Sequence, residues 1–226
     1  MDDMGQFLEF WKENLMTSRQ SRNRTGRGNL RSKREDRNRK VVIAEGGSKN
    51  ETEKNYFLMI KKSVAFSNSV LKVDTKGGAT DLTGMIRRAK TMAQSKDFNI
   101  ETDRIYILFD IDSDSNKWEL KIKQMEKAKD KKYIVFIPSN PTFEIWLLYH
   151  FCYTKRHFPT PDSLRNELKK HVPNYDKGYS FERNSSIHWV AKLDQAISHA
   201  QQSVKNGSGS PYHETGTLVH LLFEDV

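Results

Sequence analysis

Ile105-Tyr106-Ile107-Leu108-Phe109-Asp110-Ile111-Asp112-Ser113-Asp114 is the stretch on which the fold turns. Five consecutive large apolar residues, with none of the alternation of a half-exposed strand, predict a β-strand buried on both faces. It runs straight into three aspartates. Upstream, Val41-Val42-Ile43-Ala44 reads the same way and ends on the turn residues Glu45-Gly46-Gly47-Ser48. Between the two strands the spacing predicts a helix over 52–66, with Tyr56, Phe57, Met59, Ile60 and Val64 on one face. A strand over 69–75 follows, and then a helix capped near Asp81 that carries Leu82, Met85, Ile86, Ala89 and Met92 on one side. Downstream, a helix from about 117 to 129 leads to a further strand, Tyr133-Ile134-Val135-Phe136-Ile137.

Four alternations of strand and helix with short connections call for right-handed crossovers, and so for an α/β fold: a mainly parallel four-stranded sheet with helices on both faces. In such sheets ligands bind beyond the carboxyl ends of the strands where strand order reverses, commonly between the first and third. Those two ends carry Glu45 and Asp110-Ile111-Asp112, and nothing basic flanks them closely. Neighbouring carboxylates repel one another, and a divalent cation with hard oxygen ligands keeps them ionised, for which Mg²⁺ or Mn²⁺ is apt. No Cys or His pair has the spacing of a zinc site. An Asp-x-Asp in a turn commonly does no more than cap backbone; its pairing with a Glu at the end of an earlier apolar strand is what points to metal.

After the fourth strand comes Pro138-Ser139-Asn140-Pro141-Thr142-Phe143-Glu144-Ile145-Trp146-Leu147-Leu148-Tyr149-His150-Phe151. Pro141 in the first turn, with Asn140 or Ser139 as cap, predicts a helix start and places Glu144 about one turn in. Two roles stay open for Glu144: a charge at the positive helix end, or a carboxylate aimed at the same strand ends. From about Cys152 the sequence reads as a helical extension, with helices near 163–171, 186–204 and 215–223. His171, His188, His199, His213 and His220 are scattered without ligand spacing.

The 226 residues carry a formal charge of +9. Residues 18–40 hold eight Arg and two Lys against Glu35 and Asp36, which is +8 of that total. With Leu30 as its only large apolar residue, this stretch cannot bury enough surface to offset its ordering entropy, so a basic arm is expected. Such arms bind nucleic-acid phosphates by releasing counterions; Arg22, Arg24, Arg27, Arg31, Lys33, Arg34, Arg37 and Arg39 are the candidates, the alternative being a solubilising tail. Residues 1–17 predict a short amphipathic helix through Phe7, Phe10, Trp11 and Leu15. The expected organisation is therefore that helix, the arm at 18–40, an α/β domain at 41–151 and a helical extension at 152–226. A single cysteine excludes an internal disulfide framework, and no run of 18 apolar residues occurs, so a cytoplasmic chain off the membrane is expected. No phosphate-cradling Gly-x-x-x-x-Gly-Lys motif is present, which excludes a P-loop ATPase within this chain.

Taken together, the Glu45-Gly46 turn followed by Thr52-Glu53-Lys54-Asn55-Tyr56-Phe57, the Phe109-Asp110-Ile111-Asp112 strand end and above all Ser139-Asn140-Pro141-x-Phe143-Glu144-x-Trp146-Leu147-Leu148-x-His150-Phe151 resemble the RloB-like proteins. The resemblance extends over about residues 30–226 and includes Tyr175-x-Lys177 and the ending Ser210-Pro211 to Leu222. It implies a TOPRIM-like, Rossmann-like domain related to the OLD-group nucleases of phage-defence and abortive-infection loci. It also implies divalent-metal phosphodiester chemistry and an ATPase partner of the ABC or AAA type. Carried over by position, Glu45 matches the TOPRIM glutamate, Asp110 and Asp112 the metal-binding aspartates, and Glu144 the later acidic residue. Lys177 matches a basic residue placed to stabilise phosphate charge, its alternative being an ordinary surface lysine. The family turn after the glutamate is tighter than here, where Ser48-Lys49-Asn50-Glu51 intervene, so Glu51 and Glu53 both stay open as further ligands, as does Asp114.

The expected function is a metal-dependent nuclease acting on RNA such as tRNA or on DNA, an endonuclease rather than an exonuclease. Hydrolysis requires no nucleophilic tyrosine, and Tyr149, Tyr153 and Tyr175 read as structural. The alternative is a non-catalytic module that binds nucleic acid or the ATPase and keeps a structural cation. Self-association stays open.

Overall fold

The computed structural model describes residues 38–45, 52–64, 69–74, 81–111, 115–176 (115–117 as backbone only), 178–181, 188–207 and 214–224. Four parallel strands, β1 (Asn38–Ala44), β2 (Ser69–Val73), β3 (Arg104–Asp110) and β4 (Ile134–Asn140), stand in the order β2-β1-β3-β4. Helices α1 (Thr52–Ser63), α2 (Leu82–Ala93) and α3 (Ser115–Glu126) make the crossovers between them. Strand order reverses between β1 and β3, whose register pairs Ala44 with Leu108. The carboxyl ends of these two strands therefore lie side by side, as the apolar runs predict.

Right-handed crossovers put α1 on one face of the sheet and α2 with α3 on the other. Successive strand residues point to opposite faces. Tyr106 and Leu108 of β3 accordingly join a cluster with Tyr56, Phe57 and Ile60 of α1. On the opposite side Phe109 meets Phe136 edge to face, 6.4 Å between ring centroids. Asp110 continues the Tyr106 and Leu108 row, so its side chain belongs to the α1 face. The remainder of the chain closes over that same face. Helices α4 (Glu144–Tyr149), α5 (Pro161–Lys169, with a Thr160/Ser163 capping box) and α6 (Leu193–Lys205) contribute Trp146, Leu147, Leu164, Leu168, Ala196 and Ala200 to the cluster.

Several expectations are corrected. The sheet has five strands, because β5 (Gly216–Thr217) pairs antiparallel with Ser139 and Asn140 at the end of β4. The helix expected at 215–223 is this strand followed by a 3-10 turn, Val219–Phe223. A two-residue strand has no periodicity to read, and the apolar Val219 and Leu222 fit a three-residue turn as well as an α-helix. Helix α6 begins at Leu193 after a 3-10 turn at Val190–Lys192, later than the expected 186. Pairing with β5 keeps Ser139 and Asn140 extended, so the following helix starts at Glu144 rather than at Pro141; the Asn140-Pro141 peptide is cis.

The basic arm is shortened as well. Asn38, Arg39 and Lys40 are part of β1, where they pair with β2 and Lys40 also with β3; in addition, the Arg39 N–H donates to Asp103 Oδ1 at 2.8 Å, and the buried Lys40 Nζ donates to the Leu222 carbonyl at 2.9 Å. Residues 38–223 form one compact unit, with no division at 151/152, because β5 shares the sheet and α4 packs between α5 and α6. The N-terminal helix expected at 1–17 and the arm residues Arg22 to Arg37 lie outside the described residues. Among the described residues, no helix is long and apolar enough to cross a membrane.

Candidate functional site

Glu45 follows β1 directly, and its backbone N–H continues the ladder to the Leu108 carbonyl at 3.1 Å. That pairing brings its side chain to the end of β3, where Oε2 accepts the Asp110 N–H at 3.4 Å. Asp110, the last residue of β3, accepts the Phe143 N–H on Oδ1 at 2.9 Å. Phe143 immediately precedes Glu144, the first residue of α4, which is 7% exposed and whose Oε1 accepts the Tyr175 hydroxyl at 3.2 Å. Glu53 comes in from the first turn of α1. Three strand and helix ends thus converge on Asp110.

Electrostatics register the crowding. Burial holds the Asp110 carboxyl well above the ordinary carboxylate range, and Glu53, Glu144 and Glu45 push in the same direction. The Phe143 N–H opposes them because it bonds the charged form. Four carboxylates thus offer hard oxygen donors here, and three of them, Glu45, Asp110 and Glu144, are held by hydrogen-bond donors that leave acceptor capacity over. Of Glu51 and Glu53, Glu53 is the one seen acting on Asp110; Glu51 lies outside the described residues. So do Asp112, Asp114 and Lys177. Among the described residues, no three His, Cys, Asp or Glu side chains are arranged to hold a metal ion. Thr142 Oγ1, next to Phe143, is buried without a hydrogen-bond partner.

A basic residue does reach this end of the sheet. Lys121, on α3, donates from Nζ to the Asp110 carbonyl at 2.5 Å and lies 5.8 Å from the centre of the Phe109 ring. It approaches from the α3 face, opposite to the carboxylate side chain, and is 11 residues away in sequence. Only the packing of α3 on β3 turns that position back onto the strand. Arg39 lies at the far end of β1 from Glu45, six residues or roughly 20 Å away along the strand, so it does not share a surface with the acidic residues.

Aromatic side chains pack beneath the site. His150 is fully buried, with Nδ1 3.0 Å from the Trp146 carbonyl and Nε2 3.0 Å from the Tyr56 hydroxyl. A neutral ring that donates from Nδ1 and accepts on Nε2 satisfies both, and burial lowers its pKa to about 4. The pair ties α4, which carries Glu144, to α1, which carries Glu53, while Phe57, Phe143, Trp146 and Phe181 surround Tyr56. The tyrosines are poor nucleophiles: burial pushes Tyr149 up to about 12 and Tyr175 higher still, so neither ionises readily.

Fold and site together define an α/β protein with an acidic centre at the switch point of a mostly parallel sheet. A family model described as RloB-like protein matches residues 41–226, and the chain belongs to that family. No curated protein and no solved structure matches it.

Proposed function

We propose that this protein is a divalent-metal-dependent nuclease that hydrolyses phosphodiester bonds through a TOPRIM-like acidic site, as the effector of a phage-defence or abortive-infection system. The observation that carries the reading is Asp110, buried and accepting the Phe143 N–H, with Glu45, Glu53 and Glu144 all raising its pKa. A protein that kept these carboxylates only for packing would bear their mutual repulsion with no return, whereas hard oxygen donors in this number suit Mg²⁺ or Mn²⁺. These oxygen donors suit the metal that the family resemblance implies, with Asp112 and Asp114 as further candidates between β3 and α3 in sequence.

A bound Mg²⁺ or Mn²⁺ would neutralise charge developing on the scissile phosphate and ease deprotonation of an attacking water. Asp110, Glu45 and Glu144 would hold it, and the Phe143 N–H orients Asp110 for that task. Lys177 is the proposed phosphate contact. Residues 18–37 would hold nucleic acid by its backbone, a contact indifferent to base identity. RNA, tRNA included, and DNA both fit this chemistry, and endonucleolytic cleavage is the mode proposed. The partners proposed are the nucleic acid and an ABC- or AAA-type ATPase, in the cytoplasm.

The test is cleavage of labelled tRNA, single-stranded RNA and duplex DNA by the full chain, alone and with an ATPase encoded beside it, in Mg²⁺, in Mn²⁺ and in EDTA. Metal-dependent internal cuts that vanish in Asp110→Asn support the reading. Binding without cleavage under every condition replaces it with the nucleic-acid-binding module.

A further inference from the structure

Glu144 is held from behind by a later segment of the chain. Its Oε1 accepts the Tyr175 hydroxyl at 3.2 Å. Three residues on, the Gly178 N–H donates to Thr52 Oγ1, in the first turn of α1, at 3.2 Å. A hydroxyl has a single proton to give, and that of Tyr175 goes to the carboxylate. Tyr175 is 1% exposed and Thr52 6%, so water does not compete for these groups. Gly178 has φ 77°, a left-handed conformation that glycine adopts without strain, and this is the backbone turn that presents its N–H to the start of α1. Asn55 Nδ2 supplies a second tie from α1 to the same segment, 3.5 Å from the Tyr179 carbonyl.

Packing alone does not account for the arrangement. A phenylalanine would fill the same space against the Tyr179 ring, 5.6 Å away between centroids, and would leave a nearly buried carboxylate without its donor. The hydroxyl is aimed at one oxygen of the carboxylate that faces Asp110.

We propose that Tyr175 is a positioning residue for Glu144: its hydroxyl fixes the orientation of the Glu144 carboxylate, and the ties from Gly178 to Thr52 and from Asn55 to Tyr179 hold Tyr175 in place against α1, so that this contact completes the acidic site. The proposal rests on the nuclease reading and deepens it, since it makes the site depend on a segment about 30 residues further along the chain than Glu144.

The experiment compares the full-length wild type with Tyr175→Phe, Thr52→Val and the double variant. Mn²⁺ affinity is measured by electron paramagnetic resonance of the free ion, and kcat and KM by cleavage at saturating Mn²⁺. Tyr175→Phe is expected to weaken Mn²⁺ binding by about 10- to 100-fold, the usual cost of losing a group that orients a ligand. It should lower kcat and leave KM for nucleic acid unchanged. Thr52→Val shifts both quantities in the same direction, and the double variant is no worse than Tyr175→Phe alone, because Thr52 reaches Glu144 only by holding the segment that carries Tyr175 and the two effects are not additive. A wild type that neither binds Mn²⁺ nor cleaves overturns the nuclease reading and this proposal with it. A wild type that does both, with variants that keep its affinity and kcat or with losses that simply add, overturns the proposal alone. Should Tyr175→Phe fail to fold in a thermal melt, Thr52→Val, of equal side-chain volume and at a helix start, carries the same comparison.

Discussion

The Phe143 N–H donates to Asp110 Oδ1 at 2.9 Å, joining the end of β3 to the residue just before Glu144. This one bond sets two acidic residues 34 positions apart at a common depth, and among the described residues it is the influence on Asp110 that favours its charged form. The others, from burial to its three acidic neighbours, favour the proton.

Replacing Asp110 by Asn is therefore expected to stabilise the metal-free protein at neutral pH. The asparagine Oδ1 still accepts the Phe143 N–H, while the charge that Glu53, Glu144 and Glu45 repel is gone. Because the folded-state pKa of Asp110 lies above its unfolded value, the cost of its charge is present at neutral pH and fades as pH falls into the ordinary carboxylate range. Thermal melts in EDTA should show Asp110→Asn above wild type at pH 7, by about 2–4 °C for each kcal/mol of repulsion relieved, and the gap should close near pH 4. Added Mg²⁺ should raise the wild-type melting temperature and leave that of the variant unmoved. A variant less stable than wild type in EDTA at pH 7 would remove the repulsion argument.

Glu144→Gln separates charge from architecture. The Gln Oε1 can still accept the Tyr175 hydroxyl, so the fold should survive. As a mere helix-start charge Glu144 contributes at most about 1 kcal/mol, and cleavage would persist. As a ligand or water-orienting carboxylate its loss should lower the single-turnover rate by about 100-fold or more. The catalytic outcome is the expected one, because Glu144 acts electrostatically on Asp110 from within the same buried site. Wild-type turnover in a stable Glu144→Gln protein would leave Glu45, Glu53 and Asp110 as the site.

How much of this was legible beforehand follows from what kind of pattern each residue belongs to. Glu45 and Asp110 were readable because each ends an apolar run, and parallel topology forces the first and third strand ends together. The depth of Glu144 was not: it depends on β4 continuing to Asn140, which depends on β5, two residues long and without period. Lys121 carries no such signal, because a lysine on a mostly charged helix reads as solvent-facing until the packing of α3 on β3 is known. Tyr175 was hidden for a different reason. It reaches Glu144 from an irregular segment, where neither a 2.0 nor a 3.6 repeat says which way a side chain points. Charge alone places residues 38–40 with the arm, whereas pairing within the sheet outweighs composition there.

Acid should destabilise the protein through its buried histidines. Burial lowers His150 and His220 to about 4, against an ordinary value of 6.5. The unfolded chain takes up these protons first, so stability that is full above pH 6.5 is lost as pH falls from 6.5 toward 4 and levels off below. The slope is up to about 1.4 kcal/mol per pH unit for each histidine. Asp110 works in the opposite direction, which makes the contrast testable. Urea unfolding at pH 7.0, 5.5 and 4.5 should show the loss in wild type, and His150→Gln should flatten it. A midpoint that shifts with pH equally in wild type and in His150→Gln would mean that the His150 ring is not held neutral.

The start of β1 at Asn38 decides how the basic arm is to be removed. A deletion of 18–40 would take away Arg39 and Lys40, which pair within the sheet and also bond Asp103 and the Leu222 carbonyl, and would confuse loss of binding with loss of fold. Deleting 18–37 removes Arg22, Arg24, Arg27, Arg31, Lys33, Arg34 and Arg37 and leaves β1 whole. If these residues neutralise phosphates, affinity for duplex DNA should fall in the deletion. The dependence of log K on log salt should flatten by about 0.9 for each phosphate no longer neutralised, or about 0.7 on single strands. Cleavage at saturating substrate should be retained, because the acidic site lies at the other end of β1. Affinity and salt slope equal to those of the full chain would assign the stretch to solubility or to docking on a partner protein, and would leave the acidic site to recruit its substrate unaided.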